Sequence, residues 1–155
     1  MRKKIIAGNW KMNNTLQESI GLINGIKSEI SKFELKCDVI ICPPFTSLQI
    51  ANSIIKDSNI KLGAQNLFYE ESGAFTGEIS APMLKSVGCE YVILGHSERR
   101  AIFGETDDLI NKKIIKAIDS NLKPIFCVGE TLEERERGIT FDVINRQIVE
   151  GLKNI

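Results

Sequence analysis

The sequence predicts an α/β protein built on a parallel β-sheet, and two observations support this fold class. Short, almost wholly apolar runs alternate with longer segments in which apolar residues recur every three or four positions. The apolar runs also lack the alternation of a half-exposed strand, as is typical of parallel strands buried on both faces. Strict alternation of strand and helix further indicates right-handed crossovers between parallel neighbours.

Five apolar runs are candidate strands, at residues 4–8, 38–42, 60–63, 91–94 and 124–128. The segments around them carry helical apolar faces that would cover the sheet. These faces comprise Leu16, Ile20, Ile23, Ile26 and Ile30; Leu48, Ala51, Ile54 and Ile55; Met83, Leu84 and Val87; Leu109, Ile110, Ile114, Ala117 and Ile118; and Phe141, Ile144, Ile148 and Leu152. Periodicity alone does not distinguish an open doubly wound sheet from a closed (β/α)8 barrel.

Length and composition indicate the number of domains, the kind of partner and how much of a barrel the chain contains. With 155 residues, 43% of them hydrophobic and 26% charged, residues 1–155 are expected to form a single globular domain. Twenty basic and twenty acidic residues cancel, so the charge gives no indication of a nucleic-acid partner. A complete barrel needs about 250 residues. Because about five strand–helix units fill this chain, and its last helical pattern has no terminating glycine or proline, we expect an N-terminal fragment.

The N-terminus and the cysteines predict a soluble, cytoplasmic protein. The basic start precedes an apolar run of only four residues, too short for a signal peptide. No apolar run approaches the ~20 residues of a membrane helix. The four cysteines, Cys37, Cys42, Cys89 and Cys127, have neither the spacing of a metal site nor a nearby histidine. They are expected to be reduced and mostly buried thiols.

The most informative stretch is residues 91–100, where an apolar strand passes directly into the start of a helix. Gly95 permits a sharp turn, Ser97 is a favourable N-cap, and Glu98 is an acidic residue at the positive end of the helix dipole. His96, the only histidine of the chain, lies at the junction. Because the dipole disfavours a second positive charge, we expect a neutral imidazole that donates a hydrogen bond. A packed or solvated histidine is the alternative without a function.

Polar residues also follow the first candidate strand, where Asn9 and Lys11 flank Trp10. The carboxyl ends of parallel strands lie on one rim, so Asn9, Lys11 and His96 are expected to converge there. A lysine at such a rim can hold a phosphate dianion. The alternatives are a solvated loop lysine and a simple turn asparagine.

Four motifs together resemble the triosephosphate isomerase family, in its order and with its separations. They are AGNWKM at residues 7–12, GAFTGE at 73–78, ILGHSERR at 93–100 and CVGE at 127–130. The resemblance runs from residue 2 to residue 155. It implies a (β/α)8 TIM barrel that is incomplete in this chain, with about five βα units in an open parallel sheet.

The resemblance also implies an activity. Members of the family interconvert dihydroxyacetone phosphate and D-glyceraldehyde 3-phosphate, in glycolysis and gluconeogenesis, by proton transfer through an enediolate. No cofactor and no metal are expected. By resemblance, His96 is the electrophile, Lys11 is a catalytic and substrate-binding residue, and Asn9 contacts substrate. Glu98 matches a glutamate that supports the lysine and the histidine.

Two further residues are expected to support the site rather than to react. Ser97 is explained by capping alone, with direct involvement left open, and Cys127 is expected to act through packing. The family's general-base glutamate, its lid and its glycine-rich phosphate site would lie beyond residue 155. The chain as given is therefore expected to be inactive alone.

Residues 65–78 form a long connection, and loops of this length in a compact domain are usually functional. Phe75 gives the loop an apolar tip, which favours a partner. The resemblance implies a homodimer in which Thr76 of one chain reaches toward the partner's Asn9 and the partner's His96.

Two other functions remain open from the sequence. One is a non-catalytic barrel fragment that associates through the unpaired edges of its first and fifth strands. The other is a different phosphate-binding barrel enzyme, against which only the set of motifs argues.

Overall fold

The computed structural model describes residues 3–155, so the basic start at Met1 and Arg2 lies outside the described residues. One parallel sheet contains β1 (Lys4–Asn9), β2 (Cys37–Cys42), β3 (Ile60–Ala64), β4 (Tyr91–Leu94) and β5 (Lys123–Phe126). Its strand order, β1-β2-β3-β4-β5, follows the sequence. A doubly wound sheet would reverse its order at a switch point. The sheet is therefore the curled first part of a (β/α)8 barrel, as the resemblance implied.

Within residues 3–155 the structure has seven α-helices and one 3₁₀ turn. They are α1 (Leu16–Ile30), the 3₁₀ turn (Phe45–Ser47), α2 (Leu48–Ile55), α3 (Ala81–Ser86), α4 (Ser97–Phe103), α5 (Asp107–Asp119), α6 (Leu132–Glu136) and α7 (Thr140–Gly151). Helix α1 begins with a capping box, in which Thr15 and Glu18 satisfy each other's backbone N–H groups. The short α6 was not predicted as a separate helix.

Most of the core lies between the sheet and the covering helices. The strand residues that face this layer include Ile41, Leu62 and Val92, which are almost fully buried. Helical side chains complete it, among them Ile23, Leu48, Ala51, Ile110, Ile114 and Ala117. This layer fixes the orientation of each strand and hence the position of the residue that follows it.

The opposite face of the sheet carries a smaller apolar cluster. It consists of Ile40, Cys42, Tyr91 and Ile93, with Ile125 and Cys127 packed against them. Gly63 leaves room for this cluster, because a Cβ atom there would lie 2.6 Å from Cys42 Sγ. Burial on both faces explains why residues 39–42 of β2, residues 62–64 of β3 and the whole of β4 are apolar without alternation.

The edge strands differ from the central ones. Ile5 and Ile6 of β1 are 51% and 62% exposed, although both are apolar strand residues. They point to opposite faces of the sheet, because side chains alternate along a strand. The open edges predicted for the first and fifth strands are confirmed by the strand order.

Two predicted boundaries or faces were wrong. Strand β5 ends at Phe126 rather than at residue 128, so Cys127 follows it. Helix α7 buries Val143, Gln147 and Gly151, whereas the predicted apolar face is largely exposed, with Phe141 at 86%. The side-chain amide of Gln147 bonds both backbone groups of Gly129, at 2.8 and 3.0 Å, and turns that face toward the sheet.

Candidate active site

The carboxyl ends of β1, β3 and β4 border a cleft of about 190 Å³, here called the rim cleft. Its lining residues are Asn9, Lys11, Met12, Phe45, Gln65, Asn66, His96, Glu98, Arg99 and Phe103. The structure thus brings together Asn9, Lys11, His96 and Glu98, which come from two strand ends 87 residues apart at Lys11 and Glu98. Parallel strand order explains this convergence, because every strand ends on the same rim.

Lys11 is held in the left-handed backbone region, with φ of 54°. Its N–H donates to Asn9 Oδ1 at 2.9 Å, and its carbonyl accepts from Gln65 Nε2 at 2.9 Å. Its ammonium group donates to Glu98 Oε1 at 2.6 Å. Both backbone polar groups and the side chain of Lys11 therefore have fixed partners.

His96, not Ser97, is the N-cap of α4, so the predicted cap was one residue too late. The His96 Nδ1 atom accepts the backbone N–H of Glu98 at 3.2 Å. An accepting Nδ1 carries a lone pair, so the proton of the neutral ring is on Nε2. The left-handed turn at Gly95, with φ of 74°, places the imidazole where a capping oxygen usually lies.

Glu98 lies between Lys11 and His96 in the rim cleft. Its Oε1 atom accepts the hydrogen bond from Lys11, and its Oε2 atom lies 3.5 Å from His96 Nδ1. The hydrogen bond from Lys11 lowers the pKa of the Glu98 carboxyl, against the opposing effect of burial, and the charge of Lys11 lowers it further. Glu98 is consequently ionised at neutral pH, and it keeps the Lys11 ammonium at the cleft.

A buried network below the rim cleft was missed by sequence reasoning. Glu105 Oε1 accepts from Arg99 Nε at 2.6 Å and from Lys113 Nζ at 2.5 Å. Lys113 also donates to Asn66 Oδ1 at 2.9 Å. The signal was present, because Lys113 lies within the buried stripe of α5 formed by Ile110, Ile114 and Ala117. A charged residue at a core position requires a buried partner.

The charges of this network stabilise one another. Burial raises the pKa of Glu105, but hydrogen bonds from Lys113 and Arg99 outweigh burial and leave the pKa below its usual value. Glu105 and Lys113 are only 6% and 2% exposed. Because Arg99 also lines the rim cleft, the network anchors one wall of that cleft.

Ser97 lies on a different cavity from the other predicted site residues. This cavity, of about 430 Å³, lies among α4, α5, α7 and the loop after β5. Arg100 also lines it, donating from Nε to the Gly95 carbonyl at 2.8 Å and from Nη2 to the Cys127 carbonyl at 3.3 Å. Arg100 thereby joins the ends of β4 and β5, directly beside His96.

The four cysteines are free thiols. Cys127 packs in the cluster with Ile93 and Ile125 and is absent from the lining of the rim cleft. Burial raises the pKa of the Cys127 thiol, and burial raises the pKa of Cys42 to about 12. Both thiols therefore stay protonated and unreactive at neutral pH.

Phe75 and Thr76 do not line the rim cleft of their own chain. The Phe75 ring packs against Phe68, with ring centroids 4.7 Å apart. Even so, Phe75 remains 41% exposed. In residues 3–155, no helix is long and apolar enough to cross a membrane. The same described residues contain no group of three or more His, Cys, Asp or Glu side chains placed to hold a metal ion.

The family model of triosephosphate isomerase matches residues 4–155 of this sequence. The chain belongs to the triosephosphate isomerase family. Two relatives named triosephosphate isomerase are those of Alkaliphilus oremlandii, 56% identical over 155 residues, and Aquifex aeolicus, 53% identical over 153 residues. These matches cover 100% and 99% of this chain and 62% of each relative.

A solved structure agrees with the family assignment. The crystal structure of triosephosphate isomerase from Bartonella henselae matches this fold with a TM-score of 0.92 at 42% sequence identity. The match covers 99% of this chain and 63% of that one. The chain thus spans less than two thirds of the length of these triosephosphate isomerases, and it matches their N-terminal portion.

Proposed function

We propose that the complete protein is a triosephosphate isomerase that interconverts dihydroxyacetone phosphate and D-glyceraldehyde 3-phosphate. The observation that carries this proposal is the rim cleft, where Glu98 holds the Lys11 ammonium at 2.6 Å beside the imidazole of His96. A cationic lysine suits a phosphorylated triose, and Asn9 adds an amide that can contact it. Membership of the family supports the choice of substrate.

The proposed chemistry requires only proton transfers. A base removes a proton from the substrate carbon beside the carbonyl, and the electron pair moves onto the carbonyl oxygen to form an enediolate. Lys11 and the Nε2–H of neutral His96 stabilise that developing negative charge, and His96 moves a proton between the two oxygens. Protonation of the neighbouring carbon completes the isomerisation, so no cofactor or metal takes part in the proposed reaction.

The base itself is proposed to lie on a later strand, beyond residue 155, together with a lid and a phosphate-binding segment. Ser97 and Cys127 are assigned supporting roles. Ser97 lines the larger cavity, which adjoins the end of β5 where a following strand would continue the barrel. Cys127 packs within the inner cluster that orients the ends of β4 and β5.

The complete protein is proposed to be a homodimer joined through the loop at residues 65–78. The exposed Phe75 tip supports this proposal, since an aromatic side chain on a long loop is a typical interface anchor. In the proposed dimer, Thr76 reaches the rim cleft of the partner. Charged replacements of Phe75 should convert the complete protein to monomers in analytical ultracentrifugation. An unchanged sedimentation coefficient would contradict this assignment.

Residues 1–155 are proposed to be the N-terminal part of one barrel domain in a cytoplasmic enzyme. The free cysteines suit a reducing compartment.

The test uses the complete protein, defined here as residues 1–155 followed by the C-terminal part of its own gene. If none follows, the corresponding part of the Alkaliphilus oremlandii relative is used. His96→Asn should lower kcat/KM by about 10²–10⁴-fold, the usual contribution of a proton-transferring group. Asparagine is a good N-cap, so this variant removes the imidazole while the cap of α4 is preserved.

The matched control is Thr106→Asn, which changes the N-cap of α5. It should leave the isomerase activity close to that of the unmutated protein. An active His96→Asn variant would overturn the assignment of His96.

A second candidate function is association without catalysis, and the exposed edge of the sheet favours it. Ile5 and Ile6 leave apolar surface on both faces of β1, and exposed edge strands promote pairing between chains. Under this candidate, residues 1–155 alone form defined oligomers in ultracentrifugation, and Ile6→Lys lowers their mass. Indefinite aggregation, or monomers, would contradict it.

A further inference from the structure

The backbone of Lys11 is unusual within the described residues. Four residues other than glycine have a positive φ in residues 3–155, and the other three are Asn14, Asn121 and Asn154. Asparagine tolerates the left-handed region, because its short side chain can hydrogen-bond locally, whereas a lysine does not gain this compensation. Lys11 must therefore be held in this conformation by its surroundings.

Two side-chain amides provide that restraint. Asn9 accepts the N–H of Lys11, and Gln65 donates to its carbonyl, each at 2.9 Å. Gln65 directly follows β3, and its Nε2 atom also donates to the Cys42 carbonyl at 2.9 Å. One amide nitrogen thus ties the Lys11 peptide, after β1, to the last residue of β2.

We propose that Gln65 is a positioning residue for Lys11. It keeps the Lys11 backbone in the left-handed region, so that the Lys11 ammonium group stays beside Glu98 and His96. This inference rests on the function proposed above. Lys11 relaxing to a negative φ would redirect its Cα–Cβ bond and withdraw the ammonium group from the cleft. Gln65 is thereby assigned a part in the isomerisation that neither its position nor its residue type indicates in the sequence.

Gln65 acts through Lys11 rather than on the substrate. A carboxamide nitrogen has two hydrogens, and both are used here, one on the Lys11 carbonyl and one on the Cys42 carbonyl. Although Gln65 borders the rim cleft, its nitrogen has no donor left for a ligand. Asn9 restrains the Lys11 N–H, in the preceding peptide group, but its proposed contact with substrate makes it a less specific test.

The kinetic test compares Gln65→Met with Gln49→Met in the complete protein. Methionine has a similar length and cannot donate, and Gln49 is an exposed residue of α2 away from the cleft. Gln65→Met should lower kcat/KM by about 10–100-fold, as expected for a misplaced catalytic group. It should also weaken inhibition by inorganic phosphate, whereas Gln49→Met should change neither. Unchanged kcat/KM in a folded Gln65→Met variant overturns the proposal.

A second variant separates positioning from simple loss of packing. Gln65→Glu can donate one hydrogen bond when its carboxyl group is protonated, but the ionised form repels both carbonyl oxygens. Its kcat/KM, divided by that of the unmutated protein, should be highest at acidic pH and fall as the pH rises. Gln65→Met should show no such trend. A flat profile for Gln65→Glu, with activity as low as that of Gln65→Met, would indicate a packing role and contradict the proposal.

A structural readout decides the matter independently of activity. A crystal structure of the Gln65→Met protein should show Lys11 with a negative φ and no bond from its ammonium to Glu98. Retention of both features would overturn the role of Gln65. If the unmutated complete protein fails to isomerise triose phosphates, the proposed function is wrong, and the crystal structure still tests the role of Gln65.

Discussion

Two lysine–glutamate pairs lie at opposite ends of α4, and they differ mainly in exposure. Lys11 and Glu98 meet at 2.6 Å in the open rim cleft, with side chains 51% and 43% exposed. Lys113 and Glu105 meet at 2.5 Å below it, with both side chains 3% exposed. Arg99 belongs to both regions, because it lines the cleft and its guanidinium binds Glu105.

The comparison shows how surroundings decide what an ion pair can do. A buried charge without its partner is costly, so the Lys113–Glu105 pair is fixed and acts as part of the scaffold. The exposed pair is worth little to stability, because water solvates both charges. Its lysine can therefore exchange part of its interaction with Glu98 for a bound anion. The same two residue types therefore form a structural ion pair where they are buried, and they provide a candidate binding group where they are exposed.

The largest expected effect is on the buried pair. Glu105→Leu in the complete protein should lower the free energy of unfolding by about 3–5 kcal/mol, since it leaves Lys113 and Arg99 without their carboxylate. Urea unfolding at fixed protein concentration measures this change. The double variant Glu105→Leu/Lys113→Met should recover part of the loss, because it removes the buried ammonium as well. A double variant less stable than the single one would contradict this account.

Replacement of the exposed lysine should affect activity instead. Lys11→Met in the complete protein should lower kcat/KM by about 10²–10³-fold, which is typical for loss of one group that stabilises developing negative charge. The urea midpoint should remain unchanged. The control is Lys32→Met, which breaks another exposed pair of 2.6 Å, with Glu29, away from the cleft. Near-normal activity of Lys11→Met would remove Lys11 from the proposed site.

The pH dependence of stability should also reveal the buried pair. Because the folded-state pKa of Glu105 is lowered from 4.5, its stabilisation is present above the unfolded value and is lost as the pH falls through the folded value. Below about pH 4.5 the unmutated protein should therefore lose stability more steeply than Glu105→Gln. Urea midpoints measured at several pH values give both slopes. Equal slopes would show that Glu105 is not the titrating group.

Much of the fold could be predicted from the sequence, because it depends on local patterns. The apolar runs at β2, β3 and β4 are largely buried on both faces, and so each contains at most one charged residue, Asp38 in β2 and Lys61 in β3. The error at α7 has the opposite cause. Its buried face contains Gln147 and Gly151, which a hydrophobic pattern does not select. Gly151 packs so closely against the Phe126 ring that the site has no room for a Cβ atom.

The residues of the candidate site could be predicted only where they belong to a recognisable motif at the end of a strand. Parallel strand order was enough to bring Asn9, Lys11 and His96 to one rim. Gln65 gave no such signal, because its role depends on two carbonyl groups, of Lys11 and Cys42, contributed by other strands. Such contacts follow from the curvature and register of the sheet, which sequence periodicity does not specify.

The smallest expected effect on stability is at Glu98, and it sharpens the comparison most directly. Glu98→Gln keeps the size of the side chain but removes the charge that holds Lys11 and faces His96. The pKa of the Glu98 carboxyl is lowered mainly by the hydrogen bond from Lys11. Because water solvates both charges of this pair, the urea midpoint of the complete protein should not change measurably in Glu98→Gln. Activity should fall, but by less than in Lys11→Met, because the ammonium and imidazole remain.

Glu105→Gln is the matched change in the buried pair, and it should lower the urea midpoint clearly. Equal shifts in the two variants would mean that burial does not separate the roles of these pairs.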